Sequence, residues 1–210
     1  YLPTKWPQFK LNELRKVLGD DFSYQALASE IIYPFTKDSI DKDELSELIH
    51  RAYDPFSTDD IVPMKCLNSK LWIAELFHGP TLAFKDIALQ LVGELFENQL
   101  QKESENITIV GATSGDTGSA AIEACRDREN MEIFILHPHG RTSEVQRRQM
   151  TSVHSKNVFN IAIEGTFDDC QDLVKDMFAD VDFSTRINMS AVNSINWARV
   201  MTQIDYYWWA

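Results

Sequence analysis

Cysteine is scarce in this 210-residue chain. The three present, Cys66, Cys125 and Cys170, are odd in number, far apart and never in C-x-x-C spacing. That excludes a disulfide-stapled scaffold and a thiolate zinc site, and it fits reduced thiols in a cytoplasmic compartment. Long apolar runs are missing too: no stretch approaches the ~20 residues of a membrane-spanning helix, and no signal-peptide pattern is present. Positive charge is in deficit. Twenty Lys and Arg against 32 Asp and Glu give a net charge of −12, which opposes nucleic acid or an anionic membrane as the main partner. An anionic ligand would need a local cluster of donors working against that field. Internal repeats and low-complexity segments are absent. What is there, 44% hydrophobic and 25% charged residues, suits a soluble globular protein with a substantial core.

Helical periodicity fills the first 55 residues. Leu45, Leu48, Ile49 and Ala52 recur at helical spacing, opened by Asp41 and Glu44 as a capping pair and closed by Asp54-Pro55. Two short β-like runs, 61–64 and 71–77, are joined by Asn68-Ser69-Lys70 as a hairpin turn. A long apolar stripe then predicts a helix from Lys85 to about Lys102. Beyond it, strands at 107–110, 132–136, 158–163 and 187–192 alternate with helices at 117–126, 143–153 and 168–178. A last helix runs from Ser194 with Trp197, Met201, Ile204 and Trp208 on one face. Such alternation predicts βαβ units and a parallel sheet covered on both faces. The expected division is a helical extension over 1–58 and an α/β region over 59–210. The chain starts at Tyr1 and stops inside an aromatic helical pattern, Tyr206 to Ala210, with no C-cap. We therefore expect a truncated chain in which Trp208 and Trp209 face water when the piece stands alone.

Two segments carry chemistry. In Phe77-His78-Gly79-Pro80-Thr81-Leu82-Ala83-Phe84-Lys85-Asp86, a Gly-Pro-Thr turn leads through apolar and aromatic residues into a lysine at a helix start. Apolar neighbours desolvate such an amine and free it for Schiff-base chemistry, although a lysine there is more often a solvated surface residue. The second segment, Gly111 to Gly118, links a strand to a helix and carries Thr113, Ser114, Gly115, Asp116 and Thr117. Ligands bind at the carboxyl ends of parallel strands, where glycines allow close approach and helix N–H groups favour anions. It is neither a P-loop nor a GxGxxG fingerprint. Read alone, it is equally a helix-capping turn.

Together these segments resemble the pyridoxal-phosphate enzymes of the tryptophan synthase β-like superfamily, fold-type II, and within it the threonine synthase family. The segment 77–86 is similar to that family's cofactor-lysine motif. Gly111–Gly118, with Asp116 in place of the commoner asparagine, is similar to its substrate loop. Asn193-Ser194-Ile195-Asn196-Trp197-Ala198-Arg199 is similar to a segment at the active-site edge, and Tyr1-Leu2-Pro3 to the N-terminal region. The resemblance implies an α/β fold with pyridoxal 5'-phosphate on Lys85 as a Schiff base and Phe84 near its ring. It implies that Thr113, Ser114, Gly115, Asp116 and Thr117 receive the amino-acid part of the substrate, mainly through backbone N–H and hydroxyl donors. Asp116 is expected toward the cofactor's ring oxygen or the substrate amine, because a carboxylate repels a carboxylate. Asn196 is a further substrate contact, or a helix-turn residue.

The implied reaction is O-phosphohomoserine and water to threonine and phosphate, by γ-elimination and β-hydration. Arg147, His154 and Lys156 are phosphate-ligand candidates by residue type alone. His137-Pro138-His139 lacks a third ligand, so no metal is expected. The loop that grips the cofactor phosphate and the partner of the pyridine nitrogen are expected beyond Ala210. Two other readings stand beside the synthase: a phospholyase of the same scaffold that releases a 2-oxo acid, and a non-catalytic binding module made from half an enzyme.

Overall fold

The computed structural model describes residues 2–19, 22–191 and 196–210. Tyr1, Asn193, Ser194 and Ile195 of the motifs above, and Val192 of the expected last strand, lie outside the described residues. The chain divides into two compact units, one of residues 1–94 with 195–210 and one of residues 95–194.

Helices build the first unit: α1 (Leu11–Leu18), α2 (Tyr24–Thr36) and α3 (Lys42–Tyr53). Ser23 caps α2 by accepting from Ala26 N, and Asp41 caps α3 by accepting from Glu44 N, each satisfying a helix-end donor. Leu45, Leu48 and Ile49, spaced to share one face of α3, are fully buried; each contributes about 1.5–3 kcal/mol by leaving water. A hairpin of β1 (Met64–Asn68) and β2 (Leu71–Ala74) follows, antiparallel, with Asn68 Oδ1 accepting Lys70 N in the turn. The first strand begins three residues later than the apolar run predicts. Ile61 takes a left-handed φ of 58° and Pro63 has no N–H to pair, so Ile61 and Val62 anchor the core instead. Then α4 (Lys85–Glu103) begins.

The C-terminal residues return to this unit as α9 (Trp197–Met201) and α10 (Ile204–Trp209), two helices where the periodicity predicts one. The break falls at Thr202, whose hydroxyl bonds back to Arg199 O. Trp208 and Trp209 do not face water as expected. They pack beside Leu14, Leu18, Leu27 and Ile31; Trp209 stacks on Phe22 and donates from Nε1 to Val62 O at 2.7 Å.

The second unit holds a parallel sheet ordered β5-β4-β3-β6. Its strands are β3 (Ile107–Ala112), β4 (Met131–Pro138), β5 (Val158–Ile163) and β6 (Met189–Ala191). Connections run through α5 (Asp116–Cys125), α6 (Glu144–Thr151), and then α7 (Phe167–Ala179) with α8 (Val181–Arg186). The short α8 is not legible in the periodicity. Alternation along the strands sends Val110 and Leu136 to one face, packed with Cys170 of α7, and Ile109, Ile133 and Ile135 to the other. At the amino edge of the sheet, Asn157 Nδ2 converges on the carbonyls of Cys125, Arg128 and Met131 at 2.8, 3.1 and 2.8 Å. Among the described residues no helix is long and apolar enough to cross a membrane, and no group of side chains could hold a metal.

Two outcomes test this packing. Asn157→Ala should lower stability in urea by about 1–3 kcal/mol, because three carbonyls lose one shared donor. Asp205 in α10 is fully buried beside Tyr24 and Tyr53, and neither carboxylate oxygen has a hydrogen-bond partner among the described residues. Burial pushes its carboxyl well above the ordinary value of 3.8, so the fold holds a proton that the unfolded chain releases. The associated stability is therefore full below 3.8 and lost as pH rises through the folded value. Asp205→Asn should be the more stable protein at pH 7, and the gap in urea midpoint should close as pH falls toward 3.8.

Candidate functional site

Lys85 is the first residue of α4, and a closed turn places it there. Asp86 Oδ2 accepts Thr81 N at 2.8 Å and Asp86 Oδ1 accepts Thr81 Oγ1 at 2.6 Å. Leu82 N reaches Gly79 O and Asp86 N reaches Ala83 O, so the chain doubles back just before the lysine. Leu82 sits at φ 60°, a conformation that costs a branched side chain about 1–2 kcal/mol. Gly79 is required by close approach, since an added Cβ would collide with the Asp86 side chain. From below, Tyr53 Oη donates to Ile87 O at 3.2 Å and ties α3 to the first turn of α4.

The Lys85 side chain is half-buried, with its Nζ 4.8 Å from the centre of the Phe84 ring. Phe84 itself is 43% exposed, a flat apolar face beside a primary amine. His78, earlier in the motif, is held by Glu75 at 2.9 Å through Nε2 and lies 3.4 Å from Ser57 Oγ through Nδ1. Asn196 belongs to this unit and caps α9, its Oδ1 accepting Ala198 N at 2.9 Å. The cap engages its oxygen; the amide nitrogen takes no part in it.

The second unit carries the loop at the carboxyl end of β3. Thr113 is buried, and its Oγ1 accepts both Gly115 N at 3.0 Å and Gly118 N at 2.9 Å. Asp116 opens α5, where a carboxylate suits the helix dipole, and its Oδ1 accepts Thr117 N at 2.9 Å. The amides of Gly115, Thr117 and Gly118 are therefore engaged inside the loop. Ser114 is the exposed residue of the turn, and the Thr117 side chain is half-buried beside it. Gly115 is needed because its φ of 156° is one that a side chain would strain, and the end of the Gln146 side chain of α6 lies over it. Gln146 is in turn held by Ser143, whose hydroxyl donates to Oε1 at 2.8 Å.

Topology sorts the anion-ligand candidates. His154 and Lys156 precede β5 and sit at the amino edge of the sheet, while Thr113–Gly118 follows β3 at the carboxyl edge. Six-residue strands separate those edges by about 20 Å. Arg147 lies on α6, but its guanidinium is forked onto Glu144 at 2.9 and 2.8 Å. His137 is buried at the end of β4, where desolvation lowers its pKa.

Lys85, Phe84 and Asn196 thus belong to one unit, and Thr113 to Thr117 to the other. Two residues with parts in these turns were assigned none from sequence. Asp86 carries a readable signal, an acid five residues after a threonine in the same motif. Gln146 carries none, being 31 residues from the glycine it covers. A primary amine beside an exposed aromatic face fits a carbonyl-bearing aromatic cofactor, and Lys85 with Phe84 could hold one. The exposed hydroxyl of Ser114 suits a carboxylate.

Residues 61–210 match the family described as Pyridoxal-phosphate dependent enzyme, and residues 1–53 the one described as Threonine synthase N terminus. The chain is 51% identical to a threonine synthase of Pseudomonas aeruginosa over 210 residues, all of this chain and 44% of that protein. It is 44% identical to a threonine synthase-like 2 of Xenopus laevis, again over all of this chain and 44% of that protein. Among solved structures, the crystal structure of PLP-bound threonine synthase from Brucella melitensis superposes with a TM-score of 0.94 at 48% identity. That match covers 99% of this chain and 44% of the other. The chain thus spans less than half the length of these relatives.

Thr113→Val should expose the loop's dependence on one hydroxyl. Hydrogen exchange at the Gly115 and Gly118 amides should accelerate by about tenfold or more as two donors lose a partner worth ~1–3 kcal/mol. Thr113→Ser, which keeps Oγ, should exchange like the parent.

Proposed function

We propose that this chain, which belongs to the pyridoxal-phosphate-dependent enzymes, carries the lysine of a threonine synthase that converts O-phosphohomoserine and water to threonine and phosphate. The observation that carries this reading is the half-buried Lys85 amine at the head of α4, delivered by the closed turn from Gly79 to Asp86 and flanked by the Phe84 ring. The cofactor, when bound, supplies an electron sink for carbanions formed next to its nitrogen. Lys85 Nζ then has two tasks. It holds the cofactor covalently, and once displaced it takes the proton from Cα of the substrate and returns protons along the carbon chain. Phe84 would offer a cofactor ring an apolar face.

Ser114 and Thr117 receive the substrate carboxylate through their hydroxyls, and Gly115, its amide held by Thr113, sets the turn between them. Thr113 keeps the loop in shape from beneath. Asp116, already bonded to Thr117 N, is directed to the cofactor's ring oxygen or the substrate amine rather than to the carboxylate. Asn196 contributes its amide nitrogen to the substrate. We divide the chain functionally at residue 58, with a helical extension before it and the cofactor-bearing region after it. Three free thiols support a reducing, cytoplasmic compartment.

A second reading is favoured by the 44% identity to a threonine synthase-like 2. In it the same lysine serves a phospholyase that, with water, releases phosphate, ammonia and a 2-oxo acid. Incubation of the whole protein with O-phosphohomoserine separates the two. Threonine and phosphate in equal amounts support the synthase, 2-oxobutanoate in place of threonine supports the phospholyase, and neither product from a cofactor-loaded protein refutes both. Lys85→Ala should abolish turnover under either reading.

A further inference from the structure

Asp86 is fully buried, yet nothing in the reaction just described uses it. A carboxylate near the start of a helix gains about 0.3–1 kcal/mol from the dipole while still solvated. Burying one costs several kcal/mol unless it is paired and hydrogen-bonded. Dipole stabilisation alone does not account for a buried acid. Both of its oxygens accept from one residue five positions earlier, Thr81, through the backbone N–H and the hydroxyl. The two bonds close a ring of chain whose last link before the acid is Lys85.

Three features show that this closure holds the turn against its own preferences. Leu82 stays in the left-handed region, which a non-glycine residue leaves unless its surroundings fix it. Gly79 has lost its side-chain space to Asp86. The next peptide is pinned from the other side, where Tyr53 Oη donates to Ile87 O. Lys85 is thereby flanked on both sides by fixed backbone, and its stem leaves α4 in one direction, across the Phe84 ring.

We propose that Asp86 is the positioning residue of Lys85: by clamping Thr81 it fixes the direction in which the amine is presented. This rests on the reading of Lys85 as the cofactor lysine. The Lys85 amine owes its reach to the clamp, and relaxing the clamp lets it swing without unfolding either unit. A misplacement of about 1 Å at a reacting atom costs on the order of 10²-fold in rate.

The test uses the whole protein, stripped of cofactor and then mixed with pyridoxal phosphate. Covalent capture on Lys85 is followed by borohydride reduction and peptide mapping, and the pH titration of the adduct's absorbance is recorded beside it. Asp86→Ala should capture about 10²-fold more slowly, with a displaced titration. Thr81→Val, which loses one of two charge-assisted bonds, should slow capture by about tenfold. Asp86→Asn should restore most of the rate, because its Oδ1 can accept Thr81 N and its Nδ2 can donate to Thr81 Oγ1. Capture by Asp86→Ala at the parent rate and with the parent titration would overturn the proposal. If Asp86→Ala does not fold, Thr81→Val with an intact melting curve decides: slowed capture supports the clamp and parent-like capture refutes it. A parent protein that forms no adduct on Lys85 refutes the cofactor-lysine reading itself. Equal adducts in parent and Asp86→Ala leave that reading standing and sink only the clamp.

Discussion

A buried carboxylate bonded twice to one threonine is the constraint on which the lysine motif depends. Asp86 converts a short run of sequence, Gly79 to Lys85, from a flexible approach into a closed turn. Each of its neighbours is intelligible from that closure. Gly79 is a glycine because Asp86 occupies the space of its side chain, Leu82 is held left-handed, and α4 begins where the clamp ends. The chemistry of an amine nucleophile needs direction, and the two bonds of the Asp86 side chain to Thr81 fix the backbone from which the lysine stem departs.

The loop after β3 solves a different problem with similar means. A net charge of −12 is a poor setting for an anionic ligand, so donors must be local. Thr113 draws the amides of Gly115 and Gly118 inward, and Asp116 engages that of Thr117. The turn spends the amides of Gly115, Thr117 and Gly118 on its own shape and leaves Ser114 exposed. In both turns a side-chain oxygen organises backbone N–H groups a few residues away, which makes each geometry a local property of the sequence.

Locality also explains what was legible. Periodicity gave the helices of the first 55 residues, the long helix after Lys85 and the alternation behind the parallel sheet, because burial on one face repeats at fixed spacing. Motif reading placed Lys85 at a helix start and the glycine-rich loop between a strand and a helix, where the structure has them. Long-range contacts escaped it. Nothing near Trp209 in sequence announces its bond to Val62, so the aromatic terminus reads as exposed although it packs on α1 and α2. The strand expected at Ile61 fails for a backbone reason, a left-handed residue followed by a proline. The hydroxyl of Thr202 divides what the apolar pattern draws as one helix. Candidate anion ligands chosen by residue type fared worst. His154 and Lys156 fall at the opposite edge of the sheet from the loop, a matter of topology that charge alone does not convey.

On the proposed reading, a clamped turn presents Lys85 to the cofactor. A crystal structure of the whole protein soaked with pyridoxal phosphate tests it most directly. Density should run continuously from Lys85 Nζ to the cofactor's aldehyde carbon, with the Phe84 ring against the cofactor and both Asp86 oxygens still on Thr81. Cofactor density joined to another lysine, or a Lys85 adduct formed with the Asp86–Thr81 bonds broken, would contradict it.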